Sequence, residues 1–236
     1  MSSSVAAAAS GLWERALDLV FPPRCVACGA FGAFLCARCL AAMPRAEPPR
    51  CPVCWMPGGI SGPCDRCLDR APRFAAARSA FVYRDAAREA VHALKYRGVS
   101  ALADAMAAPM AKVLEAWSPP VSAVVPVPLA GSRRRQRGYN QSELLAREIS
   151  RCTGLPLAAR ALVRRRATAP LARTADEATR RALVEGAFAP GPAPVSGGAL
   201  LVDDVLTTGA TLDACAAALI GGGAAPTFAL TFARED

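Results

Sequence analysis

An α/β fold, with a central mostly parallel sheet, helices on both faces and a metal-binding head in front, is predicted by three features of this chain. Eight of its ten cysteines form four C-x-x-C pairs between Cys25 and Cys67. Two short apolar runs, residues 122–127 (SAVVPV) and 199–202 (ALLV), are each followed by a polar turn and a helical stretch, as buried parallel strands are. A hydrophobic fraction of 53% over 236 residues supplies a core for one α/β domain plus a smaller appendage. The composition shift near Ala71–Phe74 divides the chain into residues 1–72, an N-terminal helix with the cysteine-rich head, and residues 73–236, the sheet domain.

The N-terminal residues 11–21 (GLWERALDLVF) place Leu12, Trp13, Ala16, Leu17 and Val20 at helical spacing, which predicts a short helix packed on the next module. Glu14, Arg15 and Asp18 interrupt any membrane span. No basic leader precedes an apolar core, so a cytoplasmic protein without membrane insertion is expected. The formal charge of +9 and pI near 9.4 favour polyanionic partners such as nucleic acid or phosphorylated metabolites. Scattered arginine accounts for much of that charge, since only Lys95 and Lys112 are lysines.

In the head, the pairs are Cys25/Cys28, Cys36/Cys39, Cys51/Cys54 and Cys64/Cys67. A C-x-x-C knuckle lets two thiolates bind one tetrahedral metal while the backbone turns around it. A reducing compartment disfavours disulfides, and a redox C-x-x-C usually occurs once, near a βαβ unit. Sequential pairing then gives two Cys₄ zinc sites, Cys25, Cys28, Cys36, Cys39 and Cys51, Cys54, Cys64, Cys67. With four thiolates each, these zincs are structural, and metal binding supplies folding energy to a proline-stiffened region with little core.

The sheet domain reads in order as a strand at residues 80–83, a helix at 85–95 capped by Asp85, and an Ala-rich helix at about 100–117. His92 is a surface or packing residue of the first helix. Lys95, Arg97 and Gly98 read as ordinary C-terminal capping, with a phosphate role as the alternative. After the strand at 122–127 comes a basic loop, Arg133, Arg134, Arg135, Arg137, Gly138, then Asn140 and a helix at 142–151. This loop is either a solvated basic surface or, beside a helix N-terminus, a second anion site. Cys152 and Cys215, alone in helical stretches, are expected to be buried thiols.

The stretch at 199–211, ALLVDDVLTTGAT, organises the rest. Asp203, Asp204 and the Thr/Gly segment are expected on a turn between a strand and a helix at 211–220, at the carboxyl end of the sheet where α/β folds place ligands. Gly209 permits a tight turn, and Leu206, Thr207, Thr208, Gly209, Ala210 and Thr211 offer N–H groups and hydroxyls to a phosphate. The two acids accept hydrogen bonds from sugar hydroxyls or hold hydrated Mg²⁺. A phosphate cup beside a diol clamp describes a ribose 5-phosphate site; the plain alternative is an N-cap made by threonines.

This stretch resembles the PRPP-binding signature of type I phosphoribosyltransferases. LDLVFPPRC, the four C-x-x-C pairs, LKYRG, VVPVPL, RQRGYNQ and DDVLTTGAT together resemble, in that order, the ComF family. The resemblance covers nearly the whole chain. It implies a double zinc ribbon, a phosphoribosyltransferase-like domain, and Mg²⁺-PRPP held by residues 203–211. Arg133–Arg137 would face pyrophosphate or DNA; with Arg164, Arg165 and Arg166 they are expected to line one rim, along which a single strand would stack its bases on Tyr139 or Trp55. It further implies a role in competence and uptake of single-stranded DNA at the inner face of the membrane, with machinery proteins docking on the head. The alternative implication is an active transferase moving ribose 5-phosphate to an unknown nitrogen acceptor, with no DNA role; no catalytic residue is assigned. In the lid segment at 165–185, family members usually carry Gln and Asn where this chain has Leu171 and Leu183, while Arg180 matches. The four knuckles predict two zinc ions per chain. Metal analysis of purified protein checks this, and a value well below two without titratable thiols would indicate disulfides.

Overall fold

The computed structural model describes residues 22–58, 62–166 and 177–236. In the head, α1 (Ala37–Ala42) and α2 (Asp65–Asp69) follow cysteine knuckles. The sheet domain then runs β1 (Ala76–Val82), α3 (Asp85–Tyr96), α4 (Leu102–Trp117), β2 (Ala123–Pro126), α5 (Gly131–Arg137) and α6 (Gln141–Thr153). It continues through β3 (Leu162–Arg164), α7 (Glu177–Val184), β4 (Phe188–Pro190), β5 (Gly197–Leu206), α8 (Ala210–Gly221) and β6 (Ala224–Arg234). The helix expected at 11–21, and Leu171 within the lid segment, lie outside the described residues.

Four strands form a parallel sheet in the order β1-β6-β5-β2. Period-two alternation sends Leu200 and Val202 of β5 into one core with Val124, Leu230 and Phe232, and Ala199 and Leu201 into the other with Val125 and Ala229. Helices α3, α4 and α6 cover the first face, and α8 covers the second. A parallel strand buried on both faces needs this unbroken apolar run. Neighbouring strands β2 and β5 are thus followed by helices on opposite faces, α6 and α8, which opens a crevice at their carboxyl ends.

Several expectations are corrected. Strand β5 is longer than the apolar run, so Asp203 and Asp204 are strand residues and the turn begins at Thr207. Parallel pairing with β6 carries the strand past the acids to Leu206, whereas pairing with β2 stops at Val202. β1 likewise starts four residues before Ala80, through parallel pairing with β6. β3 pairs antiparallel with β4 in a separate two-stranded sheet. Asp85 is not a cap: it is the first helical residue, with φ of 47°, and the cap position falls to Arg84, which makes no side-chain capping bond. The basic segment is no loop but helix α5, built from good helix formers. Gly138 ends it at φ 85°, its N–H donating to Arg134 O at 2.8 Å. Cys152 is exposed near the end of α6, whereas Cys215 is buried beneath the sheet.

The head closes one edge of the sheet. Ala46 N donates to Ala80 O (3.1 Å), Val82 N to Pro44 O (2.8 Å), and Ala77 N to Val53 O (2.7 Å). These bonds occupy edge groups of β1 that otherwise present an open ladder. Arg50 also forms a two-pronged contact with the Asp236 carboxylate, at 2.7 and 2.8 Å.

Candidate ribose-phosphate site and metal centres

The cysteines cluster as the spacing predicts. Cys25, Cys28, Cys36 and Cys39 form one group and Cys51, Cys54, Cys64 and Cys67 the other, with the sulfurs of each group within 4.8 Å of one another. Zn–S bonds of about 2.3 Å in a tetrahedron require S···S edges of about 3.8 Å. The observed Cys28–Cys36, Cys51–Cys67 and Cys54–Cys64 separations are 3.7, 3.9 and 3.6 Å, so both donor sets fit zinc.

The knuckle backbones prepare thiolates. Burial opposes ionisation of Cys25, but N–H groups of Cys36, Ala27 and Cys28 outweigh it and lower its pKa to about 6. Burial likewise opposes ionisation of Cys51, and N–H groups of Cys54, Cys64 and Val53 bring it to about 6. Burial, with neighbouring sulfurs, pushes Cys39 up to about 12 and raises Cys67 as well. A metal ion supplies the positive charge that removes these remaining protons. The first group packs on α3 and the main core; the second lies beside the turn after β5, where Arg66 and Cys67 share a small cavity with Thr208 and Gly209.

At the crevice, Asp204 is buried and Asp203 half-buried. Asp203 Oδ1 accepts from Ser142 Oγ at 2.7 Å and from its neighbour's N–H at 2.9 Å. Lys95 Nζ lies 2.9 Å from Asp204 Oδ2, with only 3% of the Asp204 side chain exposed. Burial alone would lower the Lys95 pKa; the charges of Asp204 and Asp203 overcome it and raise the pKa. Burial, then repulsion from Asp204, raises Asp203 to about 7, against relief from Lys95 and Ser142. Lys95 is the residue of the candidate site whose partner, Asp204, sequence reading did not identify. Its place in the last turn of α3 reads as capping, and only the fold brings that turn to β5.

The turn carries the features expected of an anion cup. Gly209 adopts φ 82° as the residue before α8, a conformation that favours glycine. Leu206 is buried and anchors the strand end, Ala210 begins the helix, and Thr207, Thr208 and Thr211 are half-buried. First-turn N–H groups of an α-helix have no intrahelical acceptors, which makes the start of α8 a place where an anion can be received.

Of the basic set, Arg134 reaches Glu143 at 3.5 Å, and Arg137 donates to Gln141. Arg133 and Arg135 lie on the same short helix. The Asn140 side chain donates to Val127 O at 3.0 Å and caps α6 by accepting from Ser142 N. Gly138 ends α5. A cleft of about 410 Å³ lies beside β2, lined by Pro126, Arg134, Asn140, Arg160, Leu162 and Arg164 among others. Arg134 and Arg164 therefore share one cleft. Burial, then Arg133, lowers the Arg164 pKa. In the lid segment, Leu183 is half-buried in α7.

A family described as the double zinc ribbon domain matches residues 16–68. The chain is 34% identical over 198 residues to the DNA utilization protein YhgH of Salmonella typhi, covering 81% of this chain and 86% of that protein. It is 33% identical over 198 residues to YhgH of Escherichia coli (strain K12), with the same coverage. Competence protein ComFC of Bacillus subtilis (strain 168) is 27% identical over 199 residues, covering 81% of this chain and 80% of that protein. No helix among the described residues is long and apolar enough to cross a membrane.

The raised Asp203 pKa fixes a pH dependence. Between the ordinary carboxyl value of 3.8 and about 7, the unfolded chain has released a proton that the native state keeps, so stability contributed by this group falls as pH rises. Asp203→Asn removes the effect. Denaturant unfolding of both proteins is therefore expected to show the variant gaining on the parent from pH 5 to pH 8. Parallel curves would contradict the assignment.

Proposed function

Since the chain belongs to the ComF family, we propose that it acts in DNA utilization and natural competence as a cytoplasmic protein that binds Mg²⁺-PRPP and handles single-stranded DNA. The observation that carries the PRPP reading is the coincidence, at one topological switch point, of an acid pair, half-buried Asp203 and buried Asp204, and a hydroxyl-rich turn opening α8. In this reading the 5-phosphate lies on Thr207–Thr211. Asp203 and Asp204 accept from the ribose hydroxyls, and Lys95 is the counter-charge that keeps both acids tolerable before the ligand arrives. Mg²⁺ enters with the pyrophosphate and offsets its charge. Arg133, Arg134 and Arg135 stand on the pyrophosphate side of the crevice. We assign this site binding rather than turnover. Residues 1–72 then serve as a docking module for machinery proteins at the inner membrane face, and residues 73–236 as the ligand-binding domain.

For DNA, the stacking partner differs from the aromatics that the sequence suggests. Tyr139 donates its hydroxyl to Leu94 O at 2.5 Å, and Trp55 is bonded to Ala46 O with Arg78 4.1 Å above its ring. Tyr96 is 71% exposed, and the Arg137 guanidinium lies 5.6 Å from its ring centroid. An exposed ring beside an arginine helix suits a base with its phosphate.

Two measurements test these readings. Asp203→Asn with Asp204→Asn is expected to weaken Mg²⁺-PRPP binding by about 2–3 kcal/mol in calorimetry, the order set by hydrogen bonds to charged groups; unchanged affinity in a folded variant would remove the ligand from this site. Single-stranded DNA binding is expected to fall steeply with salt, and replacing Arg133, Arg134 and Arg135 with Ala should flatten the slope by about 2, at about 0.7 per lost phosphate contact. An unaltered slope would place DNA elsewhere.

A further inference from the structure

The turn after β5 is gripped from behind by two arginines. Arg234 Nη1 donates to Thr207 O at 3.4 Å, and Arg66 Nη2 donates to Thr208 O at 3.2 Å. A trans peptide unit is planar, with its C=O and the following N–H pointing in opposite directions. Holding Thr207 O therefore turns the Thr208 N–H away from the arginines, and holding Thr208 O does the same for the Gly209 N–H.

Both braces trace back to the second ribbon. Arg66 sits between Cys64 and Cys67, two of its four cysteines. Arg234 is 1% exposed, and its Nη2 lies 3.2 Å from Met56 Sδ. Met56 O in turn accepts from Cys51 N at 2.8 Å. The ribbon's exit is fixed as well: Arg73 N donates to Asp213 Oδ1 at 2.5 Å. Phe74 ring carbons lie 3.7 Å from where a Cβ on Gly209 would stand. The first cysteine group makes its packing with α1 against α3 and the main core instead.

We propose that Arg66 is a positioning residue through which the second Cys₄ site sets the phosphate affinity of the turn. This rests on reading residues 207–211 as the 5-phosphate cup. Cysteines closed on a metal fix the short helix α2, α2 fixes the guanidinium, and the guanidinium fixes the peptide that aims Gly209 N–H. Opening that ribbon frees the peptide to rotate and weakens phosphate binding, while the sheet keeps its own core.

The test uses the full chain, with ribose 5-phosphate and Mg²⁺-PRPP as separate probes in calorimetry, zinc content measured alongside, and the Gly209 amide followed by NMR. Arg66→Ala is expected to retain two zincs, to bind both probes about tenfold more weakly, and to lose most of the Gly209 shift on binding. Arg66→Lys keeps the charge but not the planar fork, so it is expected to stay weak; full rescue by lysine would replace the pin with simple charge attraction and overturn the proposal. Cys64→Ser should lower zinc to one per chain and reduce affinity by the same factor as Arg66→Ala, the double variant adding nothing further. Should Cys64→Ser fail to fold, Arg66→Ala decides alone. Parent-level binding by Arg66→Ala overturns the coupling but leaves the phosphate site standing, whereas a parent that binds neither probe overturns both.

Discussion

Two neighbouring carboxylates at the end of a buried strand are the constraint around which this molecule is arranged. Asp203, half-buried, and Asp204, buried, lie near the carboxyl end of a central strand, where like charges repel, and a buried charge without a partner costs several kcal/mol. The remedy comes from separate segments. Lys95 arrives from α3 and stands 2.9 Å from Asp204, while Ser142 arrives from α6 and donates to Asp203. Neither segment is near β5 in sequence, so the acids become tolerable only when the fold is complete. Such a cluster is costly as a structural device and sensible as a ligand site, where sugar hydroxyls take over part of the work.

The cysteine-rich head is part of this arrangement. Its backbone hydrogen-bonds to the edge strand β1 from two directions, and its second ribbon reaches the turn through Arg66. A small module with little apolar core depends on its metals for folding. Here the head also covers an edge of the neighbouring sheet and contacts the turn after β5. The two Cys₄ groups therefore have different neighbours.

Much of the site was legible in the sequence because its parts are local. C-x-x-C spacing dictates knuckle geometry, and the acid pair, threonines and glycine occupy one continuous stretch. What was not legible depends on distant partners. Lys95 looks like a helix-ending cation until α3 is laid beside β5. The arginine run looks like a loop because its charge draws attention from its helix propensity. The acids look like turn residues because polar side chains seem to end an apolar strand, yet pairing with β6 carries β5 through them to Leu206. Arg66 gives no signal at all beyond sitting between two cysteines. Tyr139 and Trp55 were plausible stacking groups by residue type, and only their hydrogen bonds reveal that they are committed to the protein's own packing.

The central claim is that the end of β5 and the start of α8 hold a phosphorylated ribose. Backbone ¹⁵N–¹H shifts recorded while ribose 5-phosphate is titrated into the full chain test it most directly. The account predicts saturable shifts at Thr208, Gly209, Ala210 and Thr211, joined by the residues around Asp203. Shifts confined to Arg133–Arg137, or no saturable shift anywhere, would contradict it.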